Sequence, residues 1–523
     1  VSLRARAAQL LLVQADLCGR RARAARGGKT LTLTVAGALE NALAPHALRS
    51  IDSATLAEFL RERRWFGEKS QPSFEARIVD VIPVSGEGQR WAVVRIEVTV
   101  PDGSVSSYQL PLAVREREMS RAHAPAAVLA LVESAVVRGL LFDAIDDPAF
   151  RSRIARALSE GEHFPGDGAS LRSEKVATRG PRLSGASHVI GGEQSNSSIV
   201  FGDSAIFKLF RRLEGGESPD VEIARYLTAH TDFRHTPELY AVLVVDHAGE
   251  RTVAGMLSRL VTGAMDGWAH ALARARSFTH SDADHEHDPF AFEAKQLGQT
   301  TAALHRALAT PTDDPAFAPL DATAADVARW AGAVRKSVEQ GFDLLARLAP
   351  KLDARSSPLA MKLAGRRLEA LAKLDASVHS LGGPAAAGIL SRHHGDYHLG
   401  QVLRTEHEWM IIDFEGEPTR PLAERRALNS PARDVAGMLR SFAYAAATAA
   451  SHDEADRERA AQWETMVRAA FLDGYGDTSA PALIALFELE KLFYELAYEL
   501  NNRPTWAWIP LTGIEKMLAS SVS

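Results

Sequence analysis

The spacing of apolar residues changes period several times along the chain, and each change predicts a different kind of element. From about Ser50, Leu56, Phe59 and Leu60 fall at helical spacing and run into Arg63-Arg64-Trp65-Phe66-Gly67, which predicts a short amphipathic helix. The period then drops to two. Ala76 to Val84, Trp91 to Val100 and Ser107 to Val114 are rich in β-branched residues, and Gly or Pro-Asp-Gly separates them, so they predict an antiparallel meander. A helical stretch is expected from about Pro125 to Leu158, with a boundary in the Gly- and Pro-containing segment 161–185. A hairpin follows, with strands Ser198 to Phe201 and Ala205 to Phe210 turning at Gly202-Asp203. From Phe292 onward helical periodicity dominates. Leu297, Thr301, Leu304 and Leu308 form one stripe, and similar patterns recur at 326–347, 358–376, 433–449, 461–475 and 482–502, interrupted by a β-ribbon around 401–413.

The chain has 523 residues, more than one hydrophobic core accommodates, so two or three packed units are expected. Its 46% apolar and 24% charged content is that of a globular protein. A formal charge of −6 gives no general attraction to nucleic acid or anionic membrane. One cysteine, Cys18, excludes an internal disulfide and suits the cytoplasm. No stretch reaches the length of a membrane span. Residues 1–39 carry many Arg and Ala and one acid, Asp16, a composition shared by targeting peptides and basic tethers; Arg20, Arg21 and Arg23 break the apolar run, and the segment reads as an extension ahead of the domain.

The densest chemistry lies in His394-Gly395-Asp396-Tyr397-His398-Leu399-Gly400-Gln401 and in Asp413-Phe414-Glu415. Pairing the two apolar runs about the turn Thr405 to Glu408 places residue 401 opposite 412, which brings Gln401 and Asp413 to one end of the ribbon. Asp396, in the loop feeding that ribbon, arrives at the same end. Two carboxylates and an amide oxygen so gathered repel one another unless a hard cation neutralises them, and magnesium fits that donor set. An Asp, an amide five positions later and a ribbon ending in Asp-Phe are the spacing kinases use for a base and two metal ligands.

The hairpin at 198–210 supplies the other half. Pairing about Gly202-Asp203 sets Lys208 opposite Ser197, beside the polar loop Gln194-Ser195-Asn196-Ser197, whose hydroxyls and N–H groups can face phosphate oxygens. Ser218-Pro219 opens a helix, and Glu222 in its first turns is expected to hold Lys208. Two further features have two readings each. His280 to His287 is either a solvated insertion or a metal-binding loop. Glu495, Glu499 and Arg503, spaced by four and followed by Trp506, form either a surface ion ladder or a sugar-binding face.

On Gly-Glu-Gln-Ser-Asn-Ser at 192–197, Phe-Lys-Leu-Phe-Arg-Arg-Leu at 207–213, the His-Gly-Asp and Asp-Phe-Glu-Gly-Glu-Pro segments, Arg-Asp-Val-Ala-Gly-Met-Leu-Arg at 433–440 and Tyr-Glu-Leu-Asn-Asn-Arg-Pro-Thr-Trp at 498–506, the chain resembles bacterial maltokinases, relatives of the aminoglycoside phosphotransferases. Tyr397, Ser197 and Ala443 depart from that pattern. The resemblance implies an α+β, bilobal, protein-kinase-like fold: an extension at 1–48, an α+β cap subdomain at 49–135, a β-rich N-lobe at 136–260 and a helical C-lobe at 261–523. It implies ATP between the lobes, with adenine near Met256 to Val261, magnesium on Gln401 and Asp413, Asp396 as base, and an acceptor held by His398, Glu415, Arg433, Glu495, Glu499 and Arg503. The implied reaction is phosphorylation of maltose for α-glucan synthesis, often beside a trehalose synthase. Glucosamine, another hexose or an aminoglycoside is the alternative acceptor, and a non-catalytic kinase-like scaffold the alternative of another class.

Overall fold

The computed structural model describes residues 31–519 except 118–126, 178–179, 182, 184–185, 192–194, 281–287, 382, 384–386, 451–452 and 477–480. Two compact units divide at Phe150/Arg151.

In the first unit a sheet is built from β1 (Thr32–Thr34), β2 (Glu75–Gly86), β3 (Gln89–Thr99), β4 (Val105–Glu116), β5 (Val128–Glu133) and β6 (Arg138–Asp143), in the order β1-β5-β6-β4-β3-β2. The expected meander is β2 to β4. Helix α1 (Ser53–Arg61), capped by the Asp52 carboxylate on Thr55 N–H, buries Leu56, Phe59 and Leu60. These pack with Ile96, Tyr108 and Leu110 of the sheet. Two expectations change here. Residues 31–48, assigned to an extension, contribute β1, which pairs in parallel with β5. The helix expected over Pro125 to Leu158 begins only at Pro148; Val128–Glu133 and Arg138–Asp143 are strands joined by a turn in which Ser134 binds Val137. Short apolar runs such as these carry no period that separates strand from buried helix. Residues 1–30 and Pro125 lie outside the described residues.

In the second unit β7 (His163–Pro165), β8 (Ala169–Lys175), β9 (Ser187–Val189), β10 (Asn196–Phe201), β11 (Ala205–Phe210), β12 (Leu239–His247) and β13 (Glu250–Arg259) form one sheet in the order β7-β8-β12-β13-β11-β10-β9. Helix α2 (Pro219–His230) follows β11 and supplies Ile223, Tyr226 and Leu227 to the helical core. Beyond the sheet come α3 (Pro289–Leu308), α4 (Ala324–Leu348), a ribbon of β14 (Val402–Arg404) and β15 (Trp409–Ile411), then α5 (Ala432–Ala449), α6 (Glu454–Tyr475) and α7 (Pro481–Asn502). Leu297, Thr301, Leu304 and Leu308 are all buried, as the stripe required. No helix of the described residues is long and apolar enough to cross a membrane.

Candidate active site

The β14/β15 register pairs Val402 with Ile411, and Ile412 N–H donates to the Gln401 carbonyl at 3.0 Å, which is the 401/412 opposition expected from the turn. The Gln401 side chain consequently lies near that of Asp413 and helps to keep its carboxyl low. Asp413 itself has φ +68, a left-handed conformation that a non-glycine residue holds only where its surroundings impose it. Upstream, Gly395 has φ +83, and a Cβ there would lie 3.3 Å from the Gly416 backbone. The His394 ring bonds the Ile412 carbonyl at 2.9 Å, so the loop bearing Asp396 and the ribbon bearing Asp413 are tied together.

The β10/β11 hairpin turns through three residues, with Phe201 paired to Ala205, and this sets Lys208 opposite Ser198. The expected partner, Ser197, is one position off. Because side chains alternate across a strand, Ser198 lines the cleft with Lys208 while the Ser197 hydroxyl accepts from the buried Arg211 at 2.8 Å. Ser195 and Asn196 line the cleft; Gln194 lies outside the described residues.

Lys208 Nζ lies 3.1 Å from Asp220, 2.5 Å from Asp413 and 2.7 Å from Glu415. Burial opposes its charge, but these three carboxylates outweigh it and hold the ammonium well above its ordinary pKa. Two corrections follow. Asp220, not Glu222, is the α2 carboxylate on Lys208, since the first turn of α2 presents residue 220 to the strand; Glu222 instead binds Arg392 at 2.7 Å and Arg426 at 2.8 Å. Glu415, expected at the acceptor, stands beside Lys208 instead, where it also accepts from Asn196 at 2.9 Å. Burial and the neighbouring Asp413 and Asp220 push Glu415 up, whereas Lys208 keeps Asp413 low against its burial. Asp220, Asp413 and Glu415 offer oxygens within 4.8 Å of one another, the one such group among the described residues. Three carboxylates around one ammonium leave an excess of negative charge that a divalent cation fits.

Two cavities flank this line of residues. One, of about 340 Å³, is lined by Ile206, Lys208, Met256, Leu260, Val261, Leu403 and Asp413, mixing apolar walls with a charged end. The other, of about 600 Å³, is lined by Asp396, Glu417, Arg420, Arg433, Glu490, Lys491, Tyr494 and Trp330. In it Lys491 donates to Asp396 at 3.1 Å and Glu417 at 2.7 Å, and Arg433 binds Glu490 at 2.7 Å over the Phe487 ring. His398 stands 3.9 Å from Asp396, its Nδ1 accepting from Gly400 N–H.

Glu495, Glu499 and Arg503 do not reach this cavity. Glu495 pairs with the buried Arg440 at 2.7 Å, and Glu499 takes Tyr444 and Arg503, so the stripe ties α7 to α5. An α-helix turns by 3.6 residues, so a four-residue stripe drifts around the axis, and its earlier member Lys491 is the one that faces the cavity. Lys491, Glu417, Asp220 and Asp434 were not foreseen. The Glu-Pro after Asp-Phe-Glu-Gly and the lysine one turn before Glu495 were the available signals. Residues 281–287 lie outside the described residues, while His280 bonds the Arg276 carbonyl.

A family model described as the maltokinase N-terminal cap domain matches residues 59–147. A glucosamine kinase of Streptacidiphilus jiangxiensis is 27% identical over 338 residues, covering 62% of this chain and 72% of that protein. A second glucosamine kinase, from Mycolicibacterium smegmatis, is 29% identical over 361 residues, covering 65% and 83%. The chain is similar to glucosamine kinases over most of their length, and residues 59–147 match the maltokinase cap. A solved glucosamine kinase in complex with glucosamine, ADP and inorganic phosphate shares the fold at TM-score 0.61 and 21% identity, over 90% of this chain and 98% of that one. Another crystal form of glucosamine kinase gives 0.63 at the same identity, over 90% and 99%.

Proposed function

We propose that this kinase transfers the γ-phosphoryl group of ATP to a hydroxyl of a small sugar. The observation that carries the reading is a pair of cavities, the smaller ending at Lys208 and Asp413 and the larger at Asp396, whose lining segments are tied by the hydrogen bond between the His394 ring and the Ile412 carbonyl. Adenine occupies the apolar part of the smaller cavity beside Met256 to Val261, and Ser195, Asn196 and Lys208 face the phosphates. Gln401 and Asp413 hold a magnesium ion, which when bound supplies charge neutralisation at the phosphates. Asp396 accepts the proton of the sugar hydroxyl as its oxygen bonds to the γ-phosphorus and the bond to the β,γ-bridging oxygen breaks, releasing ADP. General-base assistance contributes roughly 10²- to 10⁴-fold, and positioning the rest.

Maltose, phosphorylated at its anomeric hydroxyl, is our first reading of the acceptor. A cavity of about 600 Å³ has room for a disaccharide, and each carboxylate named on its wall already has a basic partner, which suits a neutral sugar. Glucosamine is the second reading, favoured by the glucosamine kinase relatives. ADP release by purified protein with ATP, magnesium and each of maltose, glucosamine, glucose and an aminoglycoside decides between them; release with none would overturn the kinase reading. A partnership with a trehalose synthase is tested by co-purification of the two proteins.

A further inference from the structure

The first turn of α2 carries two carboxylates with separate duties. Asp220 faces the nucleotide: it holds Lys208 and accepts the Phe414 N–H at 2.9 Å. Glu222 faces the other way. One of its oxygens accepts from Arg392 at 2.7 Å and from Arg426 at 3.1 Å, the other from Arg426 at 2.8 Å. Arg392 lies four residues before Asp396, is 1% exposed, stacks over Phe317 and leaves Nη2 without a hydrogen bond. Its neighbour Ser391 pairs with Asn429 backbone to backbone, so a shift of Arg392 is passed along a short, tethered segment to Asp396. Burial pulls the guanidinium toward its neutral form and Glu222 opposes this.

We propose that Glu222 is a positioning residue that acts through Arg392, coupling the sheet-side helix α2 to the segment bearing the base, so that Asp396 is aligned only when α2 is docked. The proposal rests on the phosphotransfer reading above. Glu222 touches neither cavity; its effect belongs in turnover rather than in nucleotide affinity.

The test uses the full chain as wild type, Glu222→Gln, Arg392→Met and the double variant. Turnover is read with ATP and saturating maltose or glucosamine, and amide hydrogen exchange is read at residues 393–396. Misplacement of a base by about 1 Å costs roughly 10²-fold, so Glu222→Gln should lower kcat about 10- to 100-fold while KM for ATP stays within about threefold. Exchange at 393–396 should accelerate, and the double variant should match Arg392→Met, because both substitutions break one coupling. Unchanged kcat with unchanged exchange, a loss confined to KM for ATP, or losses that multiply in the double variant would each overturn the proposal. Should Glu222→Gln fail to fold, the double variant removes both buried charges, and its kcat decides alone. If the wild type phosphorylates neither sugar, the kinase reading fails while the exchange comparison still judges the coupling.

Discussion

Lys491 places its ammonium 3.1 Å from Asp396 and 2.7 Å from Glu417, bridging the proposed base to a second carboxylate on the wall of the larger cavity. Burial would raise the Glu417 pKa, but Lys491 and Arg420 outweigh it and bring the group from an ordinary 4.5 down to about 2. A folded-state pKa below the unfolded one stabilises the protein above the unfolded value, and that contribution is lost as pH falls through the folded value. Stability should therefore decline between about pH 4.5 and pH 2. Lys491→Met should cost roughly 3 kcal/mol at neutral pH by taking the ammonium from Asp396 and leaving Glu417 with Arg420 alone, and should flatten the acid decline. Urea unfolding at a series of pH values measures both; a wild-type acid slope in the variant would contradict the pairing.

Asp396→Asn removes the proton acceptor and keeps the shape. Its melting temperature should stay near the wild-type value while kcat falls by about 10²- to 10⁴-fold. Turnover at wild-type levels in a folded variant would rule out Asp396 as the base.

Much of this site could be read from the chain because its geometry is local. A ribbon closed by a short turn fixes its own register, so Gln401 and Asp413 met as expected. Lys208 was placed within one residue, and the error came from a three-residue turn where two were assumed. Spacing gave a helical first turn near Lys208 but not which of its carboxylates turns inward, since residues 220 and 222 differ by about 200° around the axis. The acceptor wall was least legible. Whether Lys491 or Glu495 faces the cavity depends on the docking of α7 on α5, where Arg440 claims Glu495.

Asp413→Ala should abolish magnesium-dependent nucleotide binding. The substitution removes one of the two side chains proposed for the ion and an anion that orients Lys208. Calorimetric titration of ATP with and without magnesium checks this: the wild type should show a large magnesium effect and the variant little or none.

Glu415→Gln should act in the opposite direction in the absence of metal. Its carboxylate adds a third negative charge around Lys208, the ammonium proposed to face the phosphates. Neutralising it should tighten ADP binding without magnesium by about 3- to 10-fold, since like charges at such distances disfavour one another. A weaker affinity in that titration would mean that Glu415 serves the nucleotide by organising Asn196.

Asp434, on α5, links the loop bearing Asp396 to the helical core. Its two oxygens accept the N–H groups of His394 at 2.7 Å and Gly395 at 2.9 Å, and the His305 ring lies 3.1 Å away, itself bonded to Tyr475. The residue is 1% exposed, so no water can replace these contacts. Burial disfavours its charge, yet the hydrogen bond from His305 and attraction to the His393, His305 and His394 rings hold it well below the ordinary carboxylate range. Asp434→Ala leaves two backbone donors unmet at the turn that delivers Asp396, each costing about 1 to 3 kcal/mol. Asp434→Asn can satisfy only one of them with its single oxygen, so it should lose roughly half as much stability while also lowering kcat. Chemical denaturation of both variants beside their turnover gives the comparison. Equal stability of Asp434→Ala and wild type would show that the loop is held by the ribbon alone.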